Sequence, residues 1–355
     1  MGITIAVLSC LLLLLALLPF IRHPHWVFRV PGFMKLQLLI VQLAVFPFAF
    51  LFTGTYPWLW AVQALQLALI VYHAYVLARY TKFWRRQKSA EGNTASEPVR
   101  IISCNVYQYN TAYNRFIDLI LRERPDVFLT MESNSGWEQA MRVLEEDYPY
   151  QQKVTLENTY GMHLYSKLKM HRVQTHYFVA DDLPSIEAEL ESRDGHRFVF
   201  FGVHPPPPSP TEEKNAKARD GELLCVAKRV RDYKLPVLVI GDFNNVAWAR
   251  SSLLFKKTSR LIDARIGRGI LATFHAKYWF FRVPLDLLFH SPDIFIDELS
   301  ILESVGSDHF PVTCTFRIDH TTAKQEEEVK SLESGEMEEV EERIEEGKEE
   351  ESDHR

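Results

Sequence analysis

The chain has 355 residues, 47% of them hydrophobic and 24% charged, and that length admits two or three domains. The formal net charge of −6 is unevenly placed: Lys324 to Arg355 holds 15 acids against 5 bases, so the remainder carries a net +4. A mildly basic folded part suits a phosphorylated substrate and excludes the strongly basic footprint of a dedicated nucleic-acid binder. Cys10, Cys104, Cys225 and Cys314 form no C-x-x-C pair. They point to neither a zinc site nor a disulfide framework and read as small buried hydrophobes.

In chain order, Ile3 to Ile21 is almost purely apolar. As a helix it reaches about 28 Å, close to the hydrocarbon thickness of a bilayer. No basic residue precedes it and no small-x-small site follows, which argues against a cleaved signal peptide. Leu36 to Thr53 and Pro57 to Ala78 are two further candidate spans. Their polar residues Gln37, Gln42, Gln63, Gln66 and His73 are costly in lipid and are expected to face neighbouring helices. Trp26, Trp58, Trp60, Tyr80 and Trp84 lie at segment ends, where aromatic belts form. Arg22, Arg29 and Lys35 separate the first two spans, no charge separates the next two, and Arg79, Lys82, Arg85, Arg86 and Lys88 follow the third. The positive-inside rule then puts the N-terminus outside and everything after the third span on the cytoplasmic side. Residues 1–86 are thus read as a membrane region with three transmembrane helices, and polar residues 87–98 as a linker.

Residues 99–318 read as one soluble domain. Arg100 to Cys104 and Asp126 to Met131 are short apolar strands, separated by a helix-periodic stretch from Tyr113 to Glu123 that Pro125 stops. Ser135 to Glu145 reads as a helix, and Tyr160 to Tyr165 alternates weakly. Ser185 to Ser192 and His196 to Val203 flank Asp194-Gly195, a strong hairpin signal. A helix over Lys214 to Tyr233 precedes an apolar strand, Val237 to Ile240. Pro284 to His290, Phe295 to Glu303 and Val312 to Phe316 are late strands. Residues 319–355, acidic and without aromatics, are expected to be disordered or a solvated helix.

The polar residues of this domain fall where strands end. Asn105, Glu132, His204, Asp242, Asn244, Asp308 and His309 all follow or border apolar runs, and Asp286 sits inside one. Converging strand ends would gather them into one polar cluster at the rim of a sandwich of two facing sheets with helices outside. His163, His171, His176 and His275 lack such a context and read as surface or strand histidines. Pro205 to Pro208 read as a rigid loop beside the cluster. Arg219 and the run Arg250, Lys256, Lys257 and Arg260, with Trp248 and Phe255, read first as a helix face, and second as a phosphate or nucleic-acid contact.

Ser103-Cys104-Asn105-Val106, Asp126 to Glu132, Gly202-Val203-His204, Gly241-Asp242-Phe243-Asn244, Leu285-Asp286 and Ser307-Asp308-His309, in that order, resemble the endonuclease/exonuclease/phosphatase superfamily. The resemblance covers nearly all of residues 99–318, and the whole chain looks like a bacterial membrane-anchored member. It implies a four-layer α/β sandwich, two mixed sheets packed face to face with helices outside, preceded by the three transmembrane helices. It also implies that Glu132 is a ligand of Mg²⁺ or Mn²⁺, Asn105 a ligand or the positioner of one, and that Asp308 completes the acidic site. Asp242 would orient or deprotonate the attacking water, Asn244 would donate to the pentavalent transition state, Asp286 would back His309, and His204 would hydrogen-bond the phosphate. Where many of the nucleases carry a second acid, two residues after the asparagine, this chain has Tyr107, which argues against an abasic-site endonuclease. Where the family has Asp-His before a late strand, this chain has Asp286-Leu287.

The expected activity is metal-assisted hydrolysis of a phosphate ester, by in-line attack of water on phosphorus, at the cytoplasmic face of a bacterial inner membrane. A nuclease-like phosphodiesterase is the first reading, and a phospholipid or phosphoinositide headgroup phosphodiesterase or phosphatase is the alternative. A catalytically inactive, membrane-tethered binding or sensor domain is the alternative from another class. The lipid bilayer is the second expected partner, and no protein partner is identifiable.

Overall fold

The computed structural model describes residues 1–84, 95–320, 323–350 and 352. Arg85, Arg86, Lys88 and the greater part of the 87–98 linker lie outside the described residues. The N-terminal region forms α1 (Gly2–Leu17), α2 (Trp26–Phe33), α3 (Lys35–Ala49) and α4 (Leu59–Ala78). Three helical stretches, Gly2–Phe20, Lys35–Phe52 and Leu59–Ala78, are long and apolar enough to cross a membrane. Their polar groups turn inward: Gln66 Nε2 donates to Ser9 O at 2.7 Å, and His73 Nδ1 lies 3.2 Å from Gln42 Oε1. Leu14, Leu43 and Val71 stay exposed, so the bundle is apolar outside and polar within, as lipid requires. Gln37 departs from this pattern and donates to Arg282 O of the soluble domain at 2.8 Å.

Helix α2 was hidden in what reads as a charged loop. His25 caps it weakly, and the helix carries Pro31 in its interior, so tertiary contacts rather than propensity sustain it. Trp26 N donates to Lys214 O, Ala216 N donates to Pro24 O, and Trp248 Nε1 donates to Gly32 O at 2.8 Å. The N-terminal region is therefore fastened directly to the soluble domain.

One sheet of that domain contains β1 (Val99–Asn105), β2 (Val127–Met131), β3 (Tyr150–Val154), β4 (Met162–Ser166), β11 (Ile294–Ile301) and β12 (Val312–Ile318). The other contains β5 (Lys169–His176), β6 (Ser185–Glu191), β7 (Arg197–Val203), β8 (Val237–Asp242), β9 (Ile262–Asp263) and β10 (Asp286–His290). Their orders are β11-β12-β1-β2-β4-β3 and β5-β6-β7-β8-β10-β9. Leu129 and Met162 of the first sheet meet Ile240 and Leu288 of the second in the central core. Helices α5 (Tyr113–Glu123) and α6 (Ser135–Met141) cover the first sheet, while α7 (Lys217–Arg231) and α8 (Arg250–Ser259) cover the second. This is the α/β sandwich of two mixed sheets that the strand pattern implies. The Asp194-Gly195 hairpin forms, with Gly195 at φ 90°. Edge strands β3 and β5 went unread, because the exposed edge position leaves β5 free to be polar and shows no buried face in its sequence.

Topology gathers the site. β1 runs parallel to β2 and β7 parallel to β8, and such pairs need crossovers, here through α5 and α7. The C-terminal ends of these four strands deliver Asn105, Glu132, His204 and Asp242 to one rim. β10 runs antiparallel to β8 with Asp286 opposite Asp242, so its first residue lies at the same rim. β12 runs antiparallel to β1 with Val312 opposite Ser103, which brings the preceding Asp308-His309 there too.

The acidic tail does not stay apart from the fold. Glu336–Glu349 forms α9, and Val340 and Ile344 pack against Leu224 of α7 and Leu254 of α8. The four-residue spacing of Val340 and Ile344 is the apolar stripe that the Glu-rich composition obscured. Gly221 and Gly347 let α7 and α9 touch: a Cβ on Gly221 would lie 2.9 Å from Gly347 Cα. The tail's acids also find the basic stretch of α8, with Arg250 paired to Glu336 and Glu339, and Lys257 to Glu333 and Glu336. Ending the chain after Lys330 should expose Leu224 and Leu254 and strip these cations of their partners, at a cost of about 3 kcal/mol or more. Denaturant midpoints of full-length and truncated protein, in one detergent, would measure it. Equal midpoints would mean that α9 adds nothing to the fold.

Glu222 on α7 gives a second prediction. It is buried, Ser185 Oγ donates to it at 2.7 Å, and burial pushes its carboxyl up to about 7. An unfolded glutamate titrates near about 4.3. Across that window the folded state therefore holds the extra proton, and stability is fullest below it and falls as pH rises through it. Glu222→Gln should remove about 3 kcal/mol of the difference in unfolding free energy between pH 4.5 and pH 7.5. The same pH slope in the variant would assign the titration to another group.

Candidate active site

Asn105, Glu132, His204, Asp242, Asn244, Asp308 and His309 line one cleft of about 440 Å³, and Asp286 lies directly behind His309. Every site residue named from the sequence is thus brought to one place. At its centre, His309 Nδ1 lies 2.9 Å from Asp286 Oδ2, and His309 Nε2 lies 3.4 Å from Asp242 Oδ2. All three are buried. Burial acts to lower the His309 pKa, but Asp242 and Asp286 outweigh it and push the imidazolium up to about 10. Burial raises the Asp242 carboxyl, with His309 opposing. His204 Nε2 lies 3.8 Å from the same Asp242 oxygen, yet burial pushes this imidazole down to about 4, so it is neutral at neutral pH. The two histidines hold opposite charge states because His309 faces two carboxylates and His204 one.

Glu132 sits just past β2 at φ 60°. Its Oε2 accepts from Gln108 N at 3.1 Å and its Oε1 from Asn105 Nδ2 at 2.8 Å, while burial pushes the carboxyl up to about 7. It does not cap the next helix; Asn134 does, accepting from Trp137 N. Asn105 Oδ1 accepts from Tyr107 N at 3.0 Å, which turns the amide nitrogen toward Glu132 and Asp242. In this arrangement the Asn105 amide nitrogen holds both carboxylates in place. Asn244, at φ 48°, donates from Nδ2 to Pro205 O and from its backbone N–H to Asp242 Oδ1. Ser307 Oγ donates to Asn105 O at 2.7 Å and accepts from His309 N, tying the last loop to the end of β1.

The ligand atoms of Asp242, Asp286 and His309 lie within 4.8 Å of one another, close enough to share one cation. Both ring nitrogens of His309 already face carboxylates, and an imidazolium has no lone pair, so this trio holds a proton as it stands. Glu132 and Asp308 are hard oxygen donors with no Lys or Arg in ion-pair contact among the described residues, and the Asp308 charge adds to burial in raising the Glu132 carboxyl. That donor set fits a divalent cation.

Several contributors were not legible. Gln108 braces Glu132 through its backbone N–H and Glu157 O through its side chain, but nothing marks it in sequence. Arg219 is 1% exposed and donates to Asp220 and to Asn244 O at 3.0 Å; it is neither a solvated helix face nor a free phosphate contact. His275 reads as a surface residue but lies beside the site, in the loop where Ala276 N donates to Asp308 O. Trp26, Val30, Phe33 and Met34 of the N-terminal region form one wall of the cleft.

Among curated proteins none matches the chain. The sequence profile described as the Endonuclease/Exonuclease/phosphatase family matches residues 102–309. Solved structures agree in fold. The D. rerio TDP2 structure, complexed with single-strand DNA product, superposes with TM-score 0.53 at 15% identity, covering 62% of this chain and 99% of that one. The human Nocturnin catalytic domain, with bound sulfate anion, gives TM-score 0.51 at 17% identity, covering 62% and 94%. A mannosyl-6-phosphatase of Bacteroides thetaiotaomicron gives 0.50 at 18%, covering 61% and 99%. The matched profile spans more than half of the chain and contains the polar residues of the cleft from Asn105 to His309: the chain belongs to the endonuclease/exonuclease/phosphatase family.

Proposed function

We propose that this chain is a membrane-anchored, divalent-metal-dependent hydrolase that attacks a phosphate ester in line with water, its cleft lying on the cytoplasmic side of the bilayer. The observation that carries the reading is the convergence of four carboxylates, two histidines and two carboxamides, from both sheets, on a single cleft. Asp242, whose carboxyl burial makes more basic, orients the attacking water and accepts its proton. Asn244 gives one amide hydrogen to Pro205 O and keeps the second for a phosphoryl oxygen. His309 holds its positive charge against the charge that develops on phosphorus, and Asp286 fixes the ring. His204, neutral, donates a hydrogen bond to the phosphate. Glu132 and Asp308 would hold the metal, Mg²⁺ or Mn²⁺, which when bound supplies Lewis-acid polarisation of the phosphoryl group.

Two observations favour a phospholipid headgroup over nucleic acid. The cleft wall contributed by α2 is apolar and joins directly to the helices read as membrane spans. Tyr278, Trp279 and Phe280, on the loop beside the site, are 51%, 81% and 61% exposed, as residues that enter a headgroup layer are. The basic stretch that supports a nuclease reading is half occupied, since Arg250 and Lys257 of its four cations are paired to α9. A nucleic-acid substrate keeps the support of the TDP2 neighbour bound to single-strand DNA. The deciding experiment gives purified full-length protein, with Mg²⁺ or Mn²⁺, phospholipid vesicles, plasmid DNA and single-stranded DNA in parallel. Headgroup release without nicking supports the lipid reading, and nicking alone overturns it.

A further inference from the structure

A second cavity, of about 300 Å³, lies between the end of α1, helix α2, the first residue of α3 and the loop joining β8 to α8. Phe33 lines both this cavity and the catalytic cleft and stands between them. Six cationic side chains reach its wall, Arg22, Arg29, Lys35, Arg219, Arg250 and Arg343, and no carboxylate does. Three of them are balanced nearby: Arg219 and Arg343 share Asp220, and Arg250 holds Glu336 and Glu339. Arg22 and Lys35 are not, and Arg29 feels Asp220 and Glu339 only beyond ion-pair distance. Among the described residues, Arg22, Arg29 and Lys35 have no carboxylate in ion-pair contact. Arg29 Nε is buried and donates to nothing. Lys35 is 5% exposed, and its ammonium lies over the Tyr72 ring, 5.1 Å away. A cation–π contact is weaker than the desolvation of a buried ammonium, so the arrangement is incomplete without an anion.

The rest of the wall says what carries that anion. Phe20, Phe28, Tyr72 and Trp248 give it an aromatic, apolar lining. Its membrane-side residues come from the last turn of the first candidate span and the first residue of the second, the level at which lipid headgroups lie. We propose that this cavity binds the phosphate of an anionic phospholipid. Arg29 presents a fork suited to two phosphate oxygens, Lys35 a point charge from below, and exposed Arg22 closes the rim. A lipid held there would fasten α2, which walls the catalytic cleft. The inference rests on the three helices crossing a bilayer and not on the chemistry of the cleft.

The test is lipid retention by the full-length chain released from nanodiscs of equal phosphatidylcholine and phosphatidylglycerol, read by native mass spectrometry. Wild type should retain one phosphatidylglycerol in preference to phosphatidylcholine by at least about tenfold, and Arg29→Gln with Lys35→Met should lose that preference. His309→Ala should keep it, which separates this result from any failure of the proposed activity. Should the double variant not fold, Arg22→Gln, whose parent side chain is exposed, carries the test with an expected loss of about threefold. A third arm adds 10 mM inorganic phosphate (about that concentration, well above a weak ionic Kd) to protein in phosphatidylcholine alone. Thermal stabilisation equal to that by phosphatidylglycerol would make the ligand a free anion and overturn the lipid assignment. Equal retention of the two lipids by wild type, or undiminished preference in the variants, would overturn the site.

Discussion

His309→Ala is expected to lower turnover by roughly 10³- to 10⁴-fold, Asp286→Asn by roughly 10²-fold, and the double variant by little more than His309→Ala alone. Asp242 and Asp286 lie opposite each other across antiparallel strands, both buried. Two like charges in that relation are destabilising unless a cation lies between them, and the His309 ring occupies that position, within 3.4 Å of one and 2.9 Å of the other. Removing the ring removes the charge that both carboxylates face, so Asp242 picks up a proton and ceases to serve as a base. Removing Asp286 alone leaves His309 paired to Asp242 and costs less. Once the ring is gone Asp286 has nothing left to orient, hence the non-additivity. The check is kcat for the four proteins on one chromogenic phosphodiester. Strictly additive losses would mean that the pair does not act as a unit.

Glu132→Gln should weaken binding of Mg²⁺ or Mn²⁺ by at least roughly tenfold, because it replaces a hard anionic ligand by a neutral one that keeps the shape. Calorimetric titration of the metal reads this without any substrate. Turnover at fixed, subsaturating metal should fall in parallel and recover in part as metal is raised. His309→Ala, which touches the proton-holding trio and not Glu132, should leave the metal isotherm nearly unchanged. A Glu132→Gln isotherm matching wild type would move the metal to the Asp242–Asp286–His309 cluster, whose ligand atoms lie within 4.8 Å of one another.

The catalytic rim was legible because its signal is local. Each of Asn105, Glu132, His204 and Asp242 follows an apolar run that reads as a strand, and a polar residue at such a place is placed by the strand before it. Convergence of those ends was an expectation, and the two parallel pairs with their crossovers supply it. What stayed hidden is what long-range contact creates. α9 has too few apolar residues to announce a docking face, and its partners, Leu224 and Leu254, lie far upstream on two other helices. α2 has a proline inside and no strong cap, so nothing local distinguishes it from a basic loop. The amide of Asn105 takes its orientation from Tyr107 N, a backbone detail that no residue type encodes. The basic run from Arg250 to Arg260 was legible as charge, but the pairing of Arg250 and Lys257 with the tail was not.

The reaction proposed for the cleft between the two sheets is metal-dependent attack of water on phosphorus. It is tested most directly by hydrolysing a phosphodiester in ¹⁸O-labelled water with purified full-length protein, with Mg²⁺ and with excess chelator. Turnover should require the metal, one ¹⁸O should appear in the phosphoryl product and none in the released alcohol, and His309→Ala should abolish the signal. Label in the alcohol, or unchanged turnover in chelator, would contradict it.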